Sequence, residues 1–240
     1  PSMEETKARL QEARTKDVKP NYLTLNKIDL TVNASEGSIV KERAVKGLEG
    51  TREWILSNGA KVYWTAVKED VKATPDLSMI IYFDTGCNAL PQDKLGSGLF
   101  AGEFIKADAG FSGATNGEIG KDPDCSEITR SLRIGGNFAS LLTNAPEKKA
   151  ENAFRMAALT VTNPYFPQGK ALEQMKDKKL ESLSEPKKDA ARFNQACDSL
   201  IYGKHPWSID IDSTDVEGVS MDLVKEVYSK AFNPSAGMTI

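Results

Sequence analysis

The stretch from Trp54 to Phe104 constrains this chain more than any other. Two short β-prone runs, Trp54-Ile55-Leu56 and Lys61-Val62-Tyr63-Trp64, meet at Asn58-Gly59. Asn and Gly both tolerate positive φ, so the pair suits the tight turn of a hairpin. Met79-Ile80-Ile81-Tyr82-Phe83-Asp84 follows and is apolar enough for a buried strand. After Gly86 comes a polar loop through Pro91, then a Gly-rich lead-in, Gly96-Ser97-Gly98, to a helical run from Leu99 to Ala107. The order is hairpin, strand, loop, helix.

Composition mainly excludes. At 240 residues, 40% apolar and 27% charged, the chain has an ordinary soluble composition, enough for one large domain or a domain plus an appendage. Its 31 Lys and Arg are dispersed among 34 acids, for a net charge of −3. That is a mixed solvated surface with no basis for a nucleic-acid partner. No apolar run approaches the ~20 residues of a membrane span, and the N-terminus shows no signal-peptide pattern. The chain opens on Pro1-Ser2 without an initiator Met and closes on Gly237-Met238-Thr239-Ile240. The expectation is a segment of something longer, truncated at its last strand. Cys87, Cys125 and Cys197 are odd in number and widely spaced, which fits free, mostly buried thiols rather than a disulfide framework or a metal knuckle.

Along the rest of the chain, Glu4 to Lys16 predicts a short helix with Leu10 as its only large apolar residue. Asp17 to Gly50 reads as an extended connector with a strand at Ile28 to Val32. Gly110 to Lys121 reads as a flexible loop; its glycines invite a phosphate-loop reading, but no Gly-Lys-Ser/Thr follows. Asp124 to Leu132 suits a short helix ended by Gly135-Gly136, and Asn137 to Leu142 a strand. Four helical stripes follow. They are Ala150, Phe154, Ala157, Ala158 and Val161; Leu172, Met175, Leu180 and Leu183; Ala190, Phe193, Cys197 and Leu200; and Val224, Val227, Tyr228 and Ala231 behind a Ser220 cap. All four are expected to be core.

The order and residues of Trp54 to Phe104 resemble the start of a domain of the pitrilysin/insulinase family of zinc metallopeptidases, the inverzincins. There a Leu-x-Asn-Gly-x-x-Val hairpin and a strand ending near Gly lead to a helix carrying His-x-x-Glu-His, two imidazoles for zinc with a Glu general base between them. Asn163-Pro164-Tyr165-Phe166, a charged helix, and Leu200-Ile201-Tyr202-Gly203-Lys204-His205-Pro206 before an Asp-rich loop continue the likeness, which covers roughly residues 50–240. Here the helix reads Phe100-Ala101-Gly102-Glu103-Phe104. One register sets Phe100, Glu103 and Phe104 at the motif positions, and the other Ala101, Phe104 and Ile105. Neither supplies a histidine. The family's third ligand, a Glu on a later helix, falls near Glu181.

The resemblance implies an α+β fold, an antiparallel sheet of about five strands with helices packed on one face, over residues 51–240. Residues 1–50 would be an inter-half linker with its short helix. The expected room between Gly136 and Pro164 holds one strand and one helix where the family fits a hairpin first, so that sheet is one strand short. The implied function is an inactive domain from the non-catalytic half of a zinc metalloendopeptidase, with no catalytic and no metal residue of its own. Zinc would reside in a catalytic half, in cis or in trans; the substrates would be peptides and the parent a periplasmic or membrane-associated bacterial protein. One alternative is a structural or binding relative with no catalytic partner. Another rests on Ile80-Ile81-Tyr82-Phe83-Asp84-Thr85-Gly86, which looks like the Asp-Thr-Gly of aspartic proteases; their chemistry needs two carboxylates sharing a proton, and the chain has no second Asp-Ser/Thr-Gly. His205, the only histidine, is expected to be a structural turn residue, because a zinc site or a triad needs more partners.

Overall fold

The computed structural model describes residues 3–15, 27–66, 76–167, 169–187, 189–203 and 209–240. Helix α1 (Met3–Thr15) precedes β1 (Ile39–Ala44), β2 (Thr51–Leu56), β3 (Lys61–Thr65) and β4 (Leu77–Phe83). Then come α2 (Leu95–Asp108), β5 (Gly110–Phe111), α3 (Asn116–Ile119), β6 (Thr129–Ile134), β7 (Ala139–Ala145) and α4 (Ala150–Thr162). The chain continues through β8 (Pro164–Tyr165), α5 (Ala171–Ser184), α6 (Asp189–Tyr202), α7 (Ser213–Glu217), α8 (Met221–Ala231) and β9 (Met238–Thr239).

The fold is α+β. Among the described residues one sheet has seven strands in the order β1-β2-β3-β9-β4-β7-β6, and β5 and β8 form a small second pair. All neighbours in the large sheet run antiparallel except β3 and β9. The Asn58-Gly59 hairpin is present: Gly59 has φ +85, and the Asn58 side chain accepts from the Ala60 N–H at 3.0 Å.

Two strands beyond the expected five have clear causes. β1 lies in the stretch read as connector and pairs with β2 from Ile39↔Leu56 to Ala44↔Arg52. The strand expected at Ile28 to Val32 is absent; Ile28 instead plugs a small second core with Phe111, Cys125 and Met156. Its N–H bonds Asp122 at 2.8 Å. The helix expected at Asp124 to Leu132 is also corrected, because Thr129–Ile134 is β6, the first arm of a hairpin with β7. Arg130 sits on the inward side of β6, so the polar–apolar alternation that would mark the strand is broken. The loop expected at Gly110 to Lys121 is structured by β5, paired with β8, and by α3, whose Thr115–Glu118 capping box satisfies its first turn.

Along β4, Met79, Ile81 and Phe83 are buried while Ile80 and Tyr82 are exposed; β7 buries Ala139, Leu141 and Ala145. Those inward side chains meet Phe100, Phe104 and Ile105 of α2 and Val224, Val227, Tyr228 and Ala231 of α8 in one main core. Burying each of the Val, Leu, Ile, Phe and Met side chains among them contributes about 1.5–3 kcal/mol, and each alanine less. The α8 stripe is as the sequence predicts, and the Ser220 hydroxyl accepts from the Leu223 N–H. Leu172 is buried, with Met175, Leu180 and Leu183 packed partly against the core. The α4 stripe is rotated: Ala153, Met156, Ala157 and Leu159 are buried, and Phe154 is 52% exposed. The α6 stripe is overturned. Phe193 and Leu200 are 69% and 87% exposed, because helical periodicity reports a face without supplying a neighbour for it.

Candidate functional site

The helix in which the resemblance sought a zinc motif is α2, and its core burial explains its side chains. Phe100, Ala101, Phe104 and Ile105 are fully buried against the sheet and α8. Glu103 lies on the outer side of the helix and meets α5. There Lys179 Nζ donates to Glu103 Oε1 and Oε2 at 3.0 and 3.1 Å and lies 5.9 Å from the centre of the Phe100 ring. The ammonium is thus held by a carboxylate and an aromatic face together. Glu181, two residues on, is exposed and lies about 200° further round a helix that turns ~100° per residue. The structure therefore brings together Phe100, Glu103 and Phe104 on one helix, adds Lys179, and leaves Glu181 apart.

This donor set does not fit zinc. Phenyl rings carry no lone pair for the ion, and Glu103 is already matched by a cation. Among the described residues no group of three His, Cys, Asp or Glu is placed to hold a metal ion. Nothing in the sequence pointed to Lys179; the only signal is the Lys178-Lys179 pair just short of Glu181.

The other candidates resolve as follows. Asp84 ends β4 and is exposed, its N–H donating to the Gly237 carbonyl at 3.4 Å. Gly86 is required by backbone crowding, since a Cβ there would lie 2.4 Å from the Gly135 carbonyl oxygen and 2.8 Å from the Phe138 nitrogen. Asp84-Thr85-Gly86 is the corner on which the β6–β7 hairpin rests, within a domain of mixed helices and sheet rather than an all-β lobe. Cys87 and Cys125 are buried in separate cores, and burial pushes both thiols up to about 11; Cys197 is half-buried on α6. His205 lies outside the described residues.

Two further features are not marked by any sequence pattern. Arg130 reaches under the sheet to Thr160 Oγ1 (2.9 Å), the Ala109 carbonyl (2.7 Å) and Asn116 Oδ1 (3.0 Å), with its guanidinium 5.3 Å over the Phe111 ring. It joins β6 to α4, α3 and the end of α2, and burial lowers its pKa. The second is an apolar groove of about 540 Å³ between α4 and the β1–β3 arm, walled by Trp54, Val62, Met79, Phe154, Val161 and Ile240.

No family model matches the chain, and no curated protein matches it. Solved structures do. The chain superposes on the periplasmic protease PqqL from Escherichia coli with a TM-score of 0.76 at 16% identity, over 100% of this chain and 26% of that one. It matches the ferredoxin protease FusC, a point mutant in complex with Arabidopsis ferredoxin, at 0.67 and 15%, again over 100% and 26%. A peptidase M16 inactive domain from Pseudomonas fluorescens matches at 0.58 and 18%, over 74% of this chain and 42% of that one. The chain thus shares its fold with these two proteases and with the solved peptidase M16 inactive domain. The chain spans about a quarter of the two proteases it matches end to end.

Proposed function

We propose that this chain is a non-catalytic domain of a zinc-dependent metalloendopeptidase, one that shapes a substrate chamber and pairs with a zinc-bearing catalytic half. The observation that carries this reading is the fate of the motif helix: phenylalanines sealed into the core at both ligand positions, and Lys179 on the Glu103 carboxylate. On this view no residue of the chain breaks a bond. Its contribution is to hold peptides by backbone and apolar contacts and to exclude bulk water from the reacting centre. The catalytic half sits in the same polypeptide or in a separate one. Residues 1–50 carry the connection between the halves, their later part built into the domain as the Ile28 plug and β1, and the setting is the bacterial periplasm, as for the first protease above.

Metal analysis and peptidase assays on the purified chain test this. Sub-stoichiometric zinc and no cleavage of unfolded peptides are expected; stoichiometric zinc with chelator-sensitive cleavage would overturn the reading. Pepstatin-sensitive cleavage at acid pH, lost in Asp84→Asn, would move the function to aspartic-protease chemistry. A parent polypeptide or operon partner with no His-x-x-Glu-His would make the domain a scaffold instead.

A further inference from the structure

We propose that the bare face of the large sheet, turned away from α2, α4 and α8, docks extended acidic peptides. They lie across the strands with carboxylates on Lys61 and Arg133 and apolar side chains against Tyr82 and Phe138. This rests on the reading above and deepens it, naming where the domain holds peptides and which ones it favours.

A single cross-strand row spans the sheet on this face. Lys41 pairs with Ile55, and Ile55 with Lys61. Lys61 pairs with Thr239, and Thr239 with Tyr82. Tyr82 in turn pairs with Ser140, and Ser140 with Arg133. Directly paired residues project to one face, and Tyr82 alternates with Ile81 and Phe83, which are buried in the main core. The row therefore crosses all seven strands on the side opposite the helices. Lys41, Lys61, Tyr82 and Arg133 are exposed, and Ile55, Thr239 and Ser140 are half-buried. Every charge in the row is positive, in a chain whose net charge is −3.

These cations can take a ligand. Among the described residues Lys41, Lys61 and Arg133 form no ion pair. The acid of the adjoining row, Glu53, is engaged by Arg43 and Tyr63, and Lys61 acts on it only through space. Asp76 and Asp84 stand outside β4 at its two ends. The Arg133 guanidinium lies 5.2 Å over the Phe138 ring, and that ring stacks on Tyr82 at 5.7 Å and 9°. A guanidinium held on an aromatic face presents its planar fork to a carboxylate, beside a two-ring apolar step. Spacing selects the ligand. Lys61 and Arg133 are four steps apart in the strand order β3-β9-β4-β7-β6, about 19 Å at ~4.8 Å per strand, the reach of about six extended residues. A peptide with acids that far apart and apolar residues between them matches the row in charge and in shape. A nucleic-acid strand, with a charge every ~3.4 Å, would leave most of its phosphates unmatched.

The test uses the purified 240-residue chain and a fluorescent peptide of about nine residues, with Glu at its first and seventh positions and Phe and Leu between them. Twin peptides carry Gln or Lys in place of Glu. At low salt the Glu peptide is expected to bind at least about fourfold more tightly than the Gln twin. That advantage should vanish at about 1 M salt, where screening acts within ~3 Å. Lys61→Gln and Arg133→Gln should each weaken binding about two- to fivefold with Tm unchanged, and together abolish the advantage. Amide NMR shifts should centre on Lys61, Tyr82 and Arg133. Equal binding of the Gln or Lys twin, unchanged binding by the double variant, or shifts centred on α6 or the α4 groove would overturn the proposal. So would tighter binding of a single-stranded oligonucleotide, or a dimer of the chain that the double variant loses, which would give the face to nucleic acid or to a second copy. Binding is read without cleavage, so its absence in a chain with no zinc and no peptidase activity sinks the docking face alone. Stoichiometric zinc with chelator-sensitive cleavage sinks the non-catalytic reading whichever peptide binds.

Discussion

On one side of β9, β4, β7 and β6 lie beneath α2, α4 and α8 and bury Phe83, Leu141 and Leu132. On the other, β1, β2 and β3 meet α4 only across the apolar groove, and Ile39, Tyr63 and Trp64 are exposed. The covered half is held by apolar burial. The arm relies on cross-strand contacts: Arg43 and Tyr63 both donate to Glu53, Thr51 and Thr65 share a hydroxyl bond of 2.7 Å, and Trp54 meets Trp64. Two residues of β9 join the halves in register. One sheet can thus hold two stability regimes, and directed changes should separate them.

The largest effect is expected in the covered half. Phe104→Ala empties a fully buried site and should lower global stability by about 3–5 kcal/mol, read as a lower Tm for the whole domain; a loss confined to the arm would refute the division. In the arm, Trp54 is half-buried, so Trp54→Ala should cost about 1–2 kcal/mol and speed amide exchange in β1–β3 while leaving β7 protected. Acid should act on the arm next. Arg43 and then Tyr63, by hydrogen bonding, hold the Glu53 carboxyl at about 2 against an ordinary 4.5. A depressed folded pKa gives stability that is complete above 4.5 and lost as pH falls toward 2. Exchange in β1–β3 should therefore rise over that window before β7 responds, and Glu53→Gln should flatten the dependence. The smallest effect is expected at Lys179→Met. Its ion pair with Glu103 is partly exposed, so unfolding by urea should shift by about 1 kcal/mol or less. A larger loss would show that surface charge, not burial, secures the covered half.

Much of this architecture is legible in the residues. Asn58-Gly59 marks its turn through local φ preference, and Ser220 with the stripe through Tyr228 marks α8 through capping and periodicity. The misses share a physical origin in long-range partners. β6 is disguised by Arg130, an inward cation whose acceptors lie on α4, α3 and the end of α2. β9 is two residues whose strand character comes from β3 and β4, far away in the chain. α6 has the periodicity of a core helix but no neighbour over its apolar face among the described residues. At the candidate site, the lack of any histidine in α2, in either register of the resemblance, is plain from the letters. The Lys179 contact is not, because it depends on how α5 crosses α2.

The plug formed by Ile28 bears on how the chain would carry load. The Ile28 N–H donates to the Asp122 carboxylate and its side chain is seated among Phe111, Cys125 and Met156, with Lys27 paired to Asp124. Tension applied from the amino-terminal side would meet this rivet before it reached β1. In a single-molecule pull the rivet should give way first, releasing the short length between Ile28 and Ile39, and only then would β1 peel from β2.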